Sequence, residues 1–196
     1  MLFRLESSAV VDGESVLPLA RVKEHLEVDS DYRDPLIEIF RNAAIDLVQQ
    51  YTMRRLTLND VADPVLWRGN GFGSAPRGIL RLGVGPVHSV LAIHYRDSQG
   101  APAVMPVADV VHSGGSEIQL AAGKNWPDVD GGLDCAVIKL RVGYETGKVP
   151  SALISAMLLM IGHLYANRES VITGTVTATL PLGFEALCDK YRDPVI

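Results

Sequence analysis

The sequence predicts an α+β protein, with helices towards both ends of the chain and an antiparallel β-rich insertion, residues 56–147, between the second and third main helices. Three observations lead there. Apolar residues recur at three- and four-residue steps before residue 56 and after residue 150, which is the period of a helix face. Between those regions, short runs of Val, Ile and Leu are separated by clusters of Gly, Pro, Asp and Asn, the punctuation of strands and turns. The connections between the runs are too short for crossover helices, so neighbouring strands should run antiparallel.

After a short extended lead-in, LARVKEHLEV at residues 19–28 sets Val22 and Leu26, with Leu19, along one helical edge. No Ser, Thr, Asp or Asn stands beside Leu19 to cap the free amides, so this start is weakly specified. The next segment, SDYRDPLIEIFRNAAIDLVQQYTMRR, is better punctuated: Asp34 is placed to cap and Pro35 suits the first helical position. Leu36, Ile37, Phe40, Ala43, Ala44, Leu47, Val48 and Tyr51 then define a long core-facing helix, with Arg54 and Arg55 near its negative end.

Strands are expected at RLTLN, GILRL, VHSVLAIHYRD, VADVVHS, SEIQLA and AVIKLRVGY, with reversals at Asp97-Ser98-Gln99-Gly100 and at residues 113–115. Pro150 opens the third main helix, SALISAMLLMIGHLYANRES, in which Leu159 and Met160 widen the apolar stripe and imply burial on more than one side. The tail pairs an extended Thr- and Gly-rich stretch, SVITGTVTATLPLG, with a short amphipathic helix in FEALCDKYRDPVI that Pro194 stops.

At 196 residues and 47% hydrophobic content the chain can bury a real core as a single domain. Its longest apolar run, residues 153–161, falls well short of the ~20 residues of a membrane span. The first ten residues lack a signal-peptide core, so a soluble intracellular protein is expected. Cys135 and Cys188 have no metal-binding spacing and are read as reduced packing residues. The formal charge is −5, with ten acidic against seven basic residues before residue 57, which argues against an extended phosphate-gripping face.

Several polar groups resemble sites but have plainer readings. His163, Tyr165, Asn167 and Glu169 cluster at the end of the third helix, but at 100° per residue Tyr165 points about 160° away from His163. No Ser or Cys nucleophile lies within residues 163–169, and side chains at a helix end satisfy free carbonyls, so the structural reading is preferred. RGNGFGSAPRG, residues 68–78, lacks the Gly-Lys-Ser/Thr of a phosphate loop. His88 and His94 share a predicted strand face yet lie too far apart to chelate one ion, and His112 could join them only through the fold. Trp126 is read as core in preference to a contact surface. Asp128, Asp130 and Asp134 surround a Gly-Gly turn without the calcium-loop pattern. No catalytic, cofactor-binding or metal-ligating residue is therefore assigned.

The ordered pieces LPLARVKEHLEVDSDYRDPLIEIFRNAAIDLVQQYTMRRL, GKNWP, LRVGYETGKVPSALISAMLLMIGHLYANRES and TLPLGFEALCDKYR resemble the phage and prophage head–tail connector (adaptor) proteins, sometimes labelled DNA-packaging proteins. The resemblance spans nearly the whole chain. One departure is Leu19-Ala20, where a small hydroxyl residue would cap the first helix.

What the resemblance implies is one connector domain, residues 1–196: a small helical bundle of three long or medium helices plus a short C-terminal helix, with the β-rich elaboration inserted. Such proteins form a ring of about twelve subunits between the portal and the tail. The implied partners are further copies of the chain, the portal, a tail-side stopper or tail-completion protein, and genome DNA that passes without sequence-specific binding. No enzymatic activity, cofactor or membrane contact is implied. The implied location is the head–tail junction of the virion, and the host cytoplasm during assembly. Residues 171–196 would form an extended arm and terminal helix, with Asn167, Arg168, Glu169, Val171, Leu180, Leu182, Tyr191 and Arg192 as candidate subunit or portal contacts. A nucleic-acid-binding packaging factor is the alternative; it would use Arg54, Arg55, Arg77, Arg81 and Arg96 as a basic patch.

Overall fold

The computed structural model describes residues 3–6, 11–72, 78–167 and 181–192. It mixes helices with antiparallel sheet, as an α+β chain should. Two compact units form, one of Met1–Val10 with Leu58–Tyr144 and the other of Val11–Thr57 with Glu145–Pro194.

In the helical unit a short helix α1 (Gly13–Val16) leads into α2 (Leu19–Leu26), and the main helices are α3 (Asp34–Thr52) and α4 (Ser151–Ala166). The cap missing beside Leu19 is supplied from a distance: the Glu14 carboxylate accepts from the Leu19 amide at 3.2 Å. The same carboxylate pairs with the guanidinium of Arg41, a buried residue of α3.

The expectation that Asp34 caps α3 is corrected. A 3-10 turn, Asp31–Arg33, runs directly into the helix, whose own N-cap, Arg33, makes no side-chain cap; Ser30 caps the turn instead, accepting from the Tyr32 amide at 3.3 Å. Asp34 lies inside the first turn and pairs with Lys23 Nζ at 2.9 Å.

The buried face of α3 comprises Ile37, Phe40, Arg41, Ala44, Ile45, Val48 and Thr52; Ala43, expected to face inward, is exposed. Ala43 and Ile45 lie about 160° apart around the helix and both are apolar, so α3 carries apolar residues on two sides and periodicity alone could not choose between them. Helix α4 packs on α2, α3 and a terminal helix α5 (Phe184–Cys188), which explains its broad buried face of Leu153, Ile154, Ala156, Met157, Met160 and Ile161.

The sheet unit holds β1 (Phe3–Glu6), β2 (Val65–Gly69), β3 (Ile79–Arg81), β4 (Val87–Arg96), β5 (Pro102–Met105), β6 (Val110–His112), β7 (Glu117–Leu120) and β8 (Ala136–Val142). A five-stranded sheet is ordered β1-β2-β8-β4-β5 and a three-stranded one β3-β7-β6, with every described pair antiparallel. Trp67, Leu82, Ile93, Ile118, Ile138 and Leu140 are fully buried in its core. Each such aliphatic side chain contributes about 1.5–3 kcal/mol relative to exposure.

Three strand expectations need correction. RLTLN forms no strand: Asn59 instead inserts its side chain against β8, accepting from the Val142 amide at 2.7 Å and donating to the Leu140 carbonyl at 3.3 Å. Half of VADVVHS is a 3-10 turn, Val107–Asp109. The strands β2 and β5 were not anticipated. Strand β4 also departs from simple alternation, because its register against β8 shifts between Val87 and Ser89 and again between Val90 and Ala92. An extra residue flips the side-chain sequence, so six-residue spacing no longer guarantees His88 and His94 a common face; His88 is exposed and His94 half-buried.

Candidate functional site

At the end of α4 the polar cluster resolves into local bonds. The Asn167 amide and side chain both donate to the His163 carbonyl, at 3.0 and 2.9 Å, and Asn167 Nδ2 lies 3.4 Å from His163 Nδ1. Tyr165 turns elsewhere and accepts from Arg33 at 2.8 Å. Asn167 thus closes the helix, and among the described residues it is the one side chain within hydrogen-bonding distance of the His163 ring. Arg168, Glu169, Val171 and Leu180 lie outside the described residues.

The terminal helix is fastened to α3. Tyr51 donates to Asp189 at 2.7 Å, its ring meets Phe184 edge-on at 5.6 Å, and Arg54 donates to the Tyr191 carbonyl. The Asp189 carboxylate beside it raises the Tyr51 phenol above its ordinary pKa. Of the remaining contact candidates, Tyr191 is half-buried, Arg192 is exposed with its guanidinium 5.0 Å from the Tyr51 ring centre, and Leu182 is completely exposed.

Other suspected sites resolve similarly. Asp130 pairs with Arg96 at 2.7 Å and accepts from the Gly132 amide, interactions that hold its carboxyl below the usual range. Asp134 pairs with Arg4 at 2.6 Å, so arginines staple this turn. Trp126 is half-buried against the sheet core, stacked on Phe72 at 4.7 Å and bonded to the Gly78 carbonyl at 3.2 Å. No group of three His, Cys, Asp or Glu among the described residues is placed to hold a metal ion. Arg81 pairs with Glu117 at 2.9 Å, Arg96 is already engaged, and Arg77 lies outside the described residues. No described helix is long and apolar enough to cross a membrane.

No protein-family pattern and no curated protein matches the chain. Solved structures do. One, from the neck of an empty gene transfer agent particle computed with C6 symmetry, aligns at a TM-score of 0.69 and 22% identity, covering 98% of this chain and 97% of that one. Another, from the neck of the native particle computed with C12 symmetry, aligns at 0.68 and 21%, with the same coverage. The chain has the fold of a particle-neck protein. A third match, from the virion of the native particle, gives 0.67 and 22%, covering 98% of this chain and 96% of that one. The neck fold accounts for helices and sheet together, since almost nothing of either chain is left over. Two large apolar side chains that the sequence did not single out, Tyr32 and Ile39, are exposed; a second apolar row on an already amphipathic helix was the signal available for Ile39.

Proposed function

We propose that the protein is a structural component of a phage-like particle: a ring-forming head–tail connector that joins the portal to the tail and extends the DNA channel. The near end-to-end likeness to neck chains supports this most directly. The independent resemblance in the sequence pieces points the same way. In this reading the protein is not an enzyme; it works by position, as one of about twelve subunits in a closed cyclic ring. Its partners are its own copies, the portal and a tail-side stopper or completion protein. The acidic balance of the chain, −5 overall, suits a lumen along which DNA slides.

Asn167, Arg168, Glu169, Val171, Leu180, Leu182, Tyr191 and Arg192, with the arm at residues 171–182, contact a neighbouring subunit or the portal in this proposal. The pairing of Arg81 and Arg96 with carboxylates speaks against the packaging-factor alternative. Electron microscopy and mass measurement of the full chain mixed with its portal should show rings seated on the portal. Failure to bind the portal or to form rings under any assembly condition would sink the proposal.

A further inference from the structure

Helix α3 has two apolar faces. Its inner face fills the core of the helical unit, as described. On the outside, Pro35, Ile39, Ala43 and Leu47 stand four residues apart and form one ridge along the helix. Pro35 and Ala43 are exposed, Ile39 is 60% exposed and Leu47 is half-buried. Tyr32, 91% exposed, stands just before this ridge. Scattered apolar residues on a surface are ordinary, whereas a continuous row on successive turns marks a contact surface. The adjoining ridge, Glu38, Asn42 and Asp46, is exposed, and neither carboxylate has an ion-pair partner among the described residues.

A complementary surface exists on the same chain. The C-terminal turn presents Leu182, wholly exposed, together with the exposed cations Lys190 and Arg192, which lie against the aromatic rings of Tyr191 and Tyr51. Its Asp189 is occupied by Tyr51, and among the described residues of the turn Glu185, at the start of α5, is the other exposed carboxylate. The turn and the ridge do not overlap: Tyr51, which holds the turn, is twelve residues beyond Ile39, or about 18 Å along the helix and about 120° around it.

We propose that the C-terminal turn of one copy seats on the outer ridge of α3 of the next, with Leu182 against Ile39 and Ala43 and with Lys190 and Arg192 facing Glu38 and Asp46. Two different, mutually complementary patches make a head-to-tail contact, the kind that generates a ring when its rotation closes. This inference rests on the ring reading above and specifies which surfaces build it.

The test uses the full chain, with native Cys135 and Cys188 both buried. Ile39→Cys combined with Leu182→Cys, assembled with the portal and oxidised, should give a ladder of disulfide-linked multimers on a non-reducing gel, absent from either single variant. Glu38→Lys with Asp46→Lys should raise the concentration needed for assembly by about tenfold or more, and adding Lys190→Glu with Arg192→Glu should restore it. Thermal melting of each variant separates assembly loss from unfolding. Rings that form without cross-links, or that ignore the charge reversals, would overturn this contact while leaving the ring reading intact. A wild-type chain that never forms rings with its portal would remove both. Variants of Ile39 that still form rings but no longer bind the portal would assign the ridge to the portal and also overturn the proposal.

Discussion

Asn59 shows how one buried amide can stand in for a strand. Its side chain bonds the Val142 amide and the Leu140, Asp60 and Asp63 carbonyls, and its backbone amide bonds the Val142 carbonyl. The sequence suggested a strand because RLTLN alternates apolar and polar residues, and alternation does not reveal whether a side chain has taken over the ladder bonds. Replacing Asn59 with Ala should lower stability by about 2–3 kcal/mol in urea unfolding, since buried peptide groups lose their partners. The two cysteines were legible as packing residues, and both are buried and unbridged. Burial pushes the Cys188 thiol up to about 11 and raises Cys135 as well. Because the thiolate is the reacting form, iodoacetamide at pH 8 should leave both unmodified until urea is added; rapid native labelling would contradict this burial.

Helices were read from the sequence more successfully than strands. Each main helix has enough turns for a period to emerge, whereas β2 offers five residues between Pro64 and Asn70 and β4 carries two register shifts that break alternation. Even within α3 the period identified the helix but mistook part of its inner face. Ile45→Ala should therefore cost about 2–4 kcal/mol by leaving a cavity, while Ala43→Gln should stay within about 0.5 kcal/mol. Equilibrium unfolding of the two variants measures this directly, and equal losses would refute the observed phase. The contact candidates at the end of α4 were only partly legible, because Asn167 looks alike in sequence whether it closes a helix or greets a partner.

Across the whole molecule, ionic contacts define a window of pH. Arg68 holds Glu6, Lys23 holds Asp31 and Arg96 holds Asp130 below their ordinary values of 4.5, 3.8 and 3.8. A lowered folded pKa adds stability above the unfolded value, and that stability is lost as pH falls through the folded one. Lys23 and Tyr51 are raised above 10.5 and 10.0 by hydrogen bonds to Asp31 and to Asp189. Their contributions hold below those unfolded values and fade as pH rises through the folded ones. The melting temperature should thus form a plateau between about pH 5 and 9.5, with modest losses on either side because these groups face solvent. A melting curve that climbed steadily below pH 4 would contradict the assigned pairs. Fold class was legible at this scale because alternation of periods along the chain survives local errors; assembly surfaces were not, since each requires a second molecule to give the exposed residues meaning.

Strand β1 has a consequence for any attempt to isolate the sheet. It comes from the first residues of the chain, yet it pairs with β2 from Phe3 opposite Gly69 to Glu6 opposite Leu66. A fragment cut at residues 58–144 would contain the other seven strands but leave the β2 edge bare, with its backbone donors and acceptors open to any passing strand. The N-terminus therefore works as a selvedge: the woven edge that keeps the cloth from fraying or catching on its neighbour.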